Sequence, residues 1–120
     1  MIKVMVVDDA KSMRNLIKNS LDPEKYKVVC EAKNAKEAIV NYKIYKPDLV
    51  TMDITMDQKS GIEAAQEILE YDSNARIIMV TSLAQPEIIK KCIHIGARNF
   101  IVKPFTKEKL QKVMEDALEN

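Results

Sequence analysis

Residues 47–61 read PDLVTMDITMDQKSG. Leu49, Val50, Thr51 and Met52 form a mostly apolar run of strand length. The run ends in an acid, Asp53, and gives way to a polar loop closed by Gly61. An ionised carboxylate at the end of a buried strand is costly unless something compensates it. In an open α/β sheet that end of a strand is also where ligands bind. Asp53 therefore needs compensating groups, and the other strand ends are the places to look for them.

Upstream, Val4 to Val7 is a continuous apolar run, too short for a helix, followed by Asp8 and Asp9. Such a run reads as a strand buried on both faces. Met13, Leu16, Ile17 and Leu21 then recur at helical spacing, and Asp22-Pro23 stops the pattern. Lys27 to Ala32 is a second strand, polar at both ends and so expected near a sheet edge. Asn34 caps a second helix, with Glu37 three residues on as in a capping box. Its inner stripe is Ala35, Ala38, Ile39 and Tyr42, and Pro47 ends the linker to the third strand.

Downstream, Ile62, Ala65, Ile68 and Leu69 define a third helix, and Asp72-Ser73-Asn74 a turn. Arg76 to Thr81 is a fourth strand. Pro86 fits the first position of a fourth helix, where its missing N–H does no harm. Ile88, Ile89, Cys92 and Ile93 form that helix's stripe, and Gly96 ends it. Asn99 to Val102 is a fifth strand, followed by Lys103-Pro104. Thr106 caps a last helix carrying Leu110, Val113, Met114, Ala117 and Leu118.

Five β-α units with short connections imply a parallel sheet covered by helices on both faces. The expected fold is a flavodoxin-like three-layer α/β/α domain with strand order 2-1-3-4-5, one domain over residues 1–120. The chain has 120 residues, 47% hydrophobic and 31% charged, which suits a globular core and not disorder. A net charge of +1 offers no strong attraction to nucleic acid or to a membrane surface. Cys30 and Cys92 form no CxxC pair, and with the single His94 they make a zinc site a poor expectation. Free, mostly buried thiols, no leader segment and no membrane-length apolar run lead us to expect a cytoplasmic protein.

The polar residues that stand out all end strands. Asp8 and Asp9 end the first, Asp53 the third, Thr81 and Ser82 the fourth, and Lys103 the fifth. In a parallel sheet these ends share one edge. Three carboxylates there cannot all stay ionised unpaired, and a hard, oxygen-liganded cation such as Mg²⁺ resolves the conflict. Lys103 adds a compact positive charge and Thr81 a hydroxyl. A metal, a lysine and a hydroxyl around a carboxylate are what phosphoryl transfer to that carboxylate requires. Taken singly, each residue has a plainer reading as a cap, a turn or a surface lysine. Their convergence from four strands favours the chemical one.

With VVDDAKSMR at 6–14, VTMDITM at 50–56, Gly61, VTS at 80–82 and GARNFIVKPF at 96–105, the chain resembles the receiver domains of two-component response regulators. Within that family it looks most like the single-domain chemotaxis regulators of the CheY type, over essentially its whole length. The resemblance implies that Asp53 accepts a phosphoryl group from a histidine of a CheA-like kinase. It implies Mg²⁺ held directly by Asp9, Asp53 and the backbone carbonyl of Thr55, and through water by Asp8. Thr81 and Lys103 would contact the phosphoryl oxygens, helped by backbone N–H groups near Ile54 and Ser82, and Lys103-Pro104 would be a cis peptide. Thr81 and Phe100 would form the switch, changing the surface of helix 4, strand 5 and helix 5. Its reader would be a flagellar or archaellar motor component or an adaptor, with a phosphatase as a further partner. The resemblance also implies a monomer that is not itself an enzyme.

The chain departs from the family pattern at Asp57, where a proline is usual, with Gln58, Lys59 and Ser60 following. Asp57 adds negative charge near the metal site, and neutral loop drift is the plainer account of it. Phe100 stands where chemotaxis regulators often carry tyrosine, so an outward reading that needs the hydroxyl is lost. Thr55 and Leu83 occupy the positions that tune self-dephosphorylation. Lys90, Lys91, Arg98, Lys107, Lys109 and Lys112 gather near the implied output surface. A phosphorelay shuttle, or a single-domain regulator outside chemotaxis, is the alternative function. An aspartate-nucleophile phosphatase lacks a cap domain and a general acid here. Asp8-Asp9 in the first loop would repel a flavin phosphate.

Overall fold

The computed structural model describes residues 1–56, 60–82 and 85–119. Asp57, Gln58, Lys59 and Leu83, at which the sequence places expectations, lie outside the described residues. The elements run β1 (Ile2–Val7), α1 (Lys11–Ser20), β2 (Tyr26–Ala32), α2 (Ala35–Tyr45), β3 (Leu49–Asp53), α3 (Gly61–Tyr71), β4 (Ile77–Thr81), α4 (Pro86–Ile95), β5 (Asn99–Val102) and α5 (Lys107–Leu118). The strands form one sheet in the order β2-β1-β3-β4-β5, with every neighbouring pair parallel. The expected topology is therefore the observed one, and the polar-ended β2 is indeed an edge strand.

Two apolar cores lie on the two faces of the sheet. Met5, Val7, Val50, Met52, Ile77 and Met79 pack beneath α2, α3 and α4. Val4, Val6, Leu49, Ile78, Val80 and Ile101 pack beneath α1 and α5. Burial on both faces explains why the central strands read as continuous apolar runs rather than alternating ones.

The helix ends follow local chemistry. Asn34 accepts the Glu37 amide at 2.8 Å, and Thr106 accepts the Lys109 amide at 3.0 Å. Glu37 reaches one residue further back than a capping box requires and accepts from the Lys33 amide at 3.1 Å. Ser60, within the polar stretch that the sequence reads as loop, caps α3 by accepting the Glu63 amide at 3.2 Å. Pro86 opens α4, and Gly96 closes it with φ of 102°. Asn34→Ala removes the acceptor for one helix-end N–H. It is expected to cost about 1 kcal/mol in urea unfolding, and an unchanged midpoint would show that the cap contributes nothing.

Two stripes need correction. Leu16 is 49% exposed and Ile93 64% exposed, although both fall at helical spacing with buried neighbours. On α1 only Ile17 is fully enclosed among the expected helical residues, with Leu21 buried just past the helix end and Met13 packed partly against the core. On α4 only Cys92 is buried, and Ile88 and Ile95 are its partly buried companions. A 3.6-residue period defines a stripe wider than the line of contact with the sheet.

Candidate functional site

The C-terminal ends of the strands bring Asp8, Asp9, Asp53 and Lys103 together. One carboxylate oxygen from each of the three acids lies within 4.8 Å of the others. Asp8 and Asp53 are buried, at 1% and 4% exposure, and Asp9 is exposed. Lys103 Nζ bridges the buried pair, donating to Asp8 Oδ2 at 3.1 Å and to Asp53 Oδ1 at 3.3 Å. The ammonium thus ties the ends of β1, β3 and β5 together, over 95 residues of sequence.

Side-chain alternation decides the side from which each group arrives. Asp8 continues the phase of Val4 and Val6, Asp53 that of Leu49, and Lys103 that of Ile101, all toward α1 and α5. Thr81 continues the phase of Ile77 and Met79, toward α2–α4. It is 1% exposed, and its carbonyl accepts the Lys103 amide at 2.7 Å. Phe100 pairs with Met79 in the sheet and packs against the same core. It therefore shares Thr81's side, about 7 Å back along β5 from the Val102 position that faces Thr81. Thr55 is exposed, two residues beyond Asp53, and Ser82 is exposed beside Thr81. The Lys103-Pro104 peptide is cis.

The end of β3 is held tightly. Ile54 donates its amide to Val80 at 3.0 Å and accepts the Gly61 amide at 2.8 Å. A Cβ on Gly61 would stand 1.9 Å from the carbonyl oxygen of Asp53. Only glycine allows α3 to start this close to the acid.

Asp8 is not the cap of α1. The N-cap is Ala10, which offers no side-chain acceptor. Asp8 Oδ1 instead accepts the Ala10 amide at 2.9 Å, which leaves Oδ2 for Lys103. Arg14 was not assigned from sequence, yet it donates to the Asp8 carbonyl at 2.6 Å and to Glu31 at 3.0 Å. Lys18 reaches the other Glu31 oxygen at 2.8 Å. Together they hold Glu31 below the usual carboxylate range, chiefly through the Lys18 hydrogen bond. The signal was nonlocal, because Glu31 meets Arg14 only once β2 pairs with β1 in register with Val6.

Burial, then the neighbouring Asp8 charge, push the Asp53 carboxyl up from 3.8 to about 6, against the pull of Lys103. Burial also works against the Lys103 ammonium, but Asp8 and Asp53 outweigh it and its pKa is raised. Three acids and one lysine leave a surplus of negative charge in a partly dry site. All the side-chain donors on these acids are oxygen, which fits a hard divalent cation and not a soft one.

The sign of the pH dependence follows. The folded pKa of Asp53 lies above its unfolded value, so the native state holds the proton more tightly between 3.8 and about 6. The group's contribution to stability is therefore lost as pH rises through about 6. In chelator, Asp53→Asn is expected to unfold at a higher temperature than wild type at pH 8, the gain shrinking as pH falls toward 4. A gain that grew on acidification would contradict this charge balance.

Among the described residues no helix is long and apolar enough to cross a membrane. The profile of the response regulator receiver domain matches residues 4–115. The chain is 46% identical to the chemotaxis protein CheY of Halobacterium salinarum, over 97% of this chain and 96% of that one. It is 42% identical to the chemotaxis protein CheY of Bacillus subtilis, over 97% of each. Among solved structures, it superposes on one in a CheX–CheY–BeF3–Mg²⁺ complex from Borrelia burgdorferi. The TM-score is 0.95 and the identity 31%, over 99% of this chain and 90% of the other.

Proposed function

This chain belongs to the response regulator receiver domain family of two-component signalling, and we propose that it is a phosphorylation-dependent chemotaxis switch with Asp53 as phosphoacceptor. The observation that carries the proposal is the Lys103 bridge between Asp8 and Asp53 beside a third carboxylate. It supplies a buried nucleophile with a cation beside it and room for a second positive charge.

Asp9, Asp53 and the Thr55 carbonyl would hold Mg²⁺, with Asp8 reaching it through water. When bound, Mg²⁺ neutralises the surplus charge and helps to keep Asp53 ionised. Asp53 attacks phosphorus as the P–N bond of a kinase phosphohistidine breaks, and the imidazole leaves with that electron pair. Lys103 turns toward the incoming phosphoryl oxygens, and Thr81 approaches them from the opposite face of the sheet. The product is an acyl phosphate with added negative charge at a buried position.

Phe100 carries the message outward. It shares a face with Thr81 and borders a cavity of about 130 Å³ formed with Cys92, Ala97 and Arg98. Movement of the Thr81 hydroxyl toward the phosphoryl group frees space on that face, and the Phe100 ring turns into it. This repacks α4, β5 and α5. The exposed lysines 90, 91, 107, 109 and 112 make the changed surface suited to an acidic segment. The donor in this reading is a CheA-like histidine kinase. The reader is a motor component or an adaptor to it, and a phosphatase resets the state. The protein would act in the cytoplasm as a monomer and turn over no substrate of its own.

The direct test is intact-mass measurement after incubation with acetyl phosphate. One phosphoryl group is expected in Mg²⁺ and none in chelator. A chain that stays unmodified in Mg²⁺ would overturn the assignment.

A further inference from the structure

The edge of the sheet opposite Asp53 has features that phosphoryl transfer does not use. Exposed large side chains lie along α2 toward that edge and at the end of α3: Val40 at 46%, Ile44 at 65%, Tyr45 at 46% and Tyr71 at 52%. Among the described residues they account for four of the seven exposed large hydrophobic side chains. Lys36, Val40 and Ile44 follow one another at i, i+4 and i+8 on α2, one above the other on its outer side. Lys43 lies over the Tyr71 ring at 5.0 Å. Lys46 follows in a left-handed conformation, with φ of 47°. The only acid of α2, Glu37, is turned back to the Lys33 amide. The outer side of α2 is therefore apolar and basic.

Beside it, where α2 and α3 end, is a cavity of about 450 Å³. Its acids are already engaged. Asp72 accepts the Tyr42 hydroxyl at 2.7 Å and the Asn74 amide at 3.0 Å, and Asp48 accepts the Lys3 amide at 2.8 Å. Its bases are not spent in the same way. Arg76 lines the cavity, and its Nε is buried without a hydrogen-bond partner among the described residues. Lys46 stands at the rim. A buried donor without an acceptor is costly, and a carboxylate arriving at the Arg76 guanidinium would satisfy it once the side chain turns into the cavity.

We propose that the outer side of α2, with the cavity at the ends of α2 and α3, is a second docking surface that takes an acidic amphipathic helix of a partner protein. The partner's apolar stripe covers Val40, Ile44 and Tyr45, its flanking acids face Lys36 and Lys43, and one carboxylate enters the cavity to Arg76. Asp48 and Asp53 lie at opposite ends of β3, roughly 16 Å apart at strand rise. Docking here is therefore independent of the phosphoryl state. It would keep a partner attached while α4, β5 and α5 switch, and it stands whether or not Asp53 is the acceptor.

The test uses the full chain and two synthetic amphipathic peptides with the same leucine stripe, one flanked by glutamates and one by lysines. The glutamate peptide is expected to move the amide NMR signals of Val40 to Lys46, Tyr71 and Arg76, equally in wild type before and after acetyl phosphate and Mg²⁺ and in Asp53→Asn. Ile44→Asp should weaken it tenfold or more. Because Ile44 is exposed, that variant should fold, and the unchanged remainder of its spectrum would confirm this. Reversing the surface charge with K36E, K43E and K46E together should transfer the preference to the lysine peptide. The proposal is overturned if neither peptide moves α2, if the shifts centre on α4 and β5, or if the charge-reversed variant keeps the original preference. It is also overturned, in favour of a second copy of this chain, if the protein alone forms a dimer that Ile44→Asp dissolves.

Discussion

Asp53→Asn is expected to gain no phosphoryl group from acetyl phosphate and Mg²⁺ under conditions in which the wild-type chain gains one. The reason lies in how the three acids are used. Asp8 has both oxygens engaged, one by the Ala10 amide and one by Lys103. Asp9 is exposed and is not one of the two carboxylates that Lys103 bridges. Asp53 gives only Oδ1 to Lys103, and among the described residues no hydrogen bond engages Oδ2. It is thus the buried carboxylate with a free oxygen beside a cation. Asparagine keeps the shape and removes the nucleophilic charge. Since the charge is a burden to the metal-free fold above pH 6, the variant should be folded, and its inactivity would be chemical. Intact mass decides the matter, and an adduct persisting in Asp53→Asn would move the acceptor elsewhere.

Gly61→Ala should be the most damaging single methyl in the chain. The added carbon would lie 1.9 Å from the Asp53 oxygen, 2.8 Å from the Asp53 carbonyl carbon and 3.0 Å from the Ile54 Cα. All three are backbone atoms of the strand end that presents the Asp53 carboxylate. Relief requires moving β3 or the start of α3, at the cost of the Gly61–Ile54 hydrogen bond. A loss on the order of 3 kcal/mol is expected in urea unfolding, at the upper end of overpacking effects. The surviving folded fraction should be phosphorylated about a hundredfold more slowly, because a displaced Asp53 no longer meets its donor in line. The conformation of Gly61 is not the issue, since its φ is not in the left-handed region. A variant within about 0.5 kcal/mol of wild type would show that the segment absorbs the clash.

Much of this site could be read before any coordinates. Asp8, Asp9, Asp53, Thr81 and Lys103 each follow an apolar run, and a parallel sheet leaves such residues one edge to share. The caps at Asn34 and Thr106 were legible for a similar reason, because a cap is a contact between residues three apart. Ser60 was missed although its spacing to Glu63 is the same, since Gly61 between them reads more readily as a loop end than as the first residue of a helix. Leu16 and Ile93 were misplaced because periodicity marks a helix face without saying how far the sheet reaches across it.

The sequence alone determined the five β-α units, the strand order and the acids and lysine that share one edge of the sheet. Those follow from local apolar runs and from the few ways a parallel sheet can be wound. Tertiary structure decided the rest. It shows that Lys103 spans Asp8 and Asp53, that Arg14 clamps the Asp8 carbonyl, that Gly61 has no room for a side chain, and that α2 keeps a basic, apolar side uncovered. Each of these depends on a distance between atoms far apart in the chain, and such distances exist only once the sheet has closed its register.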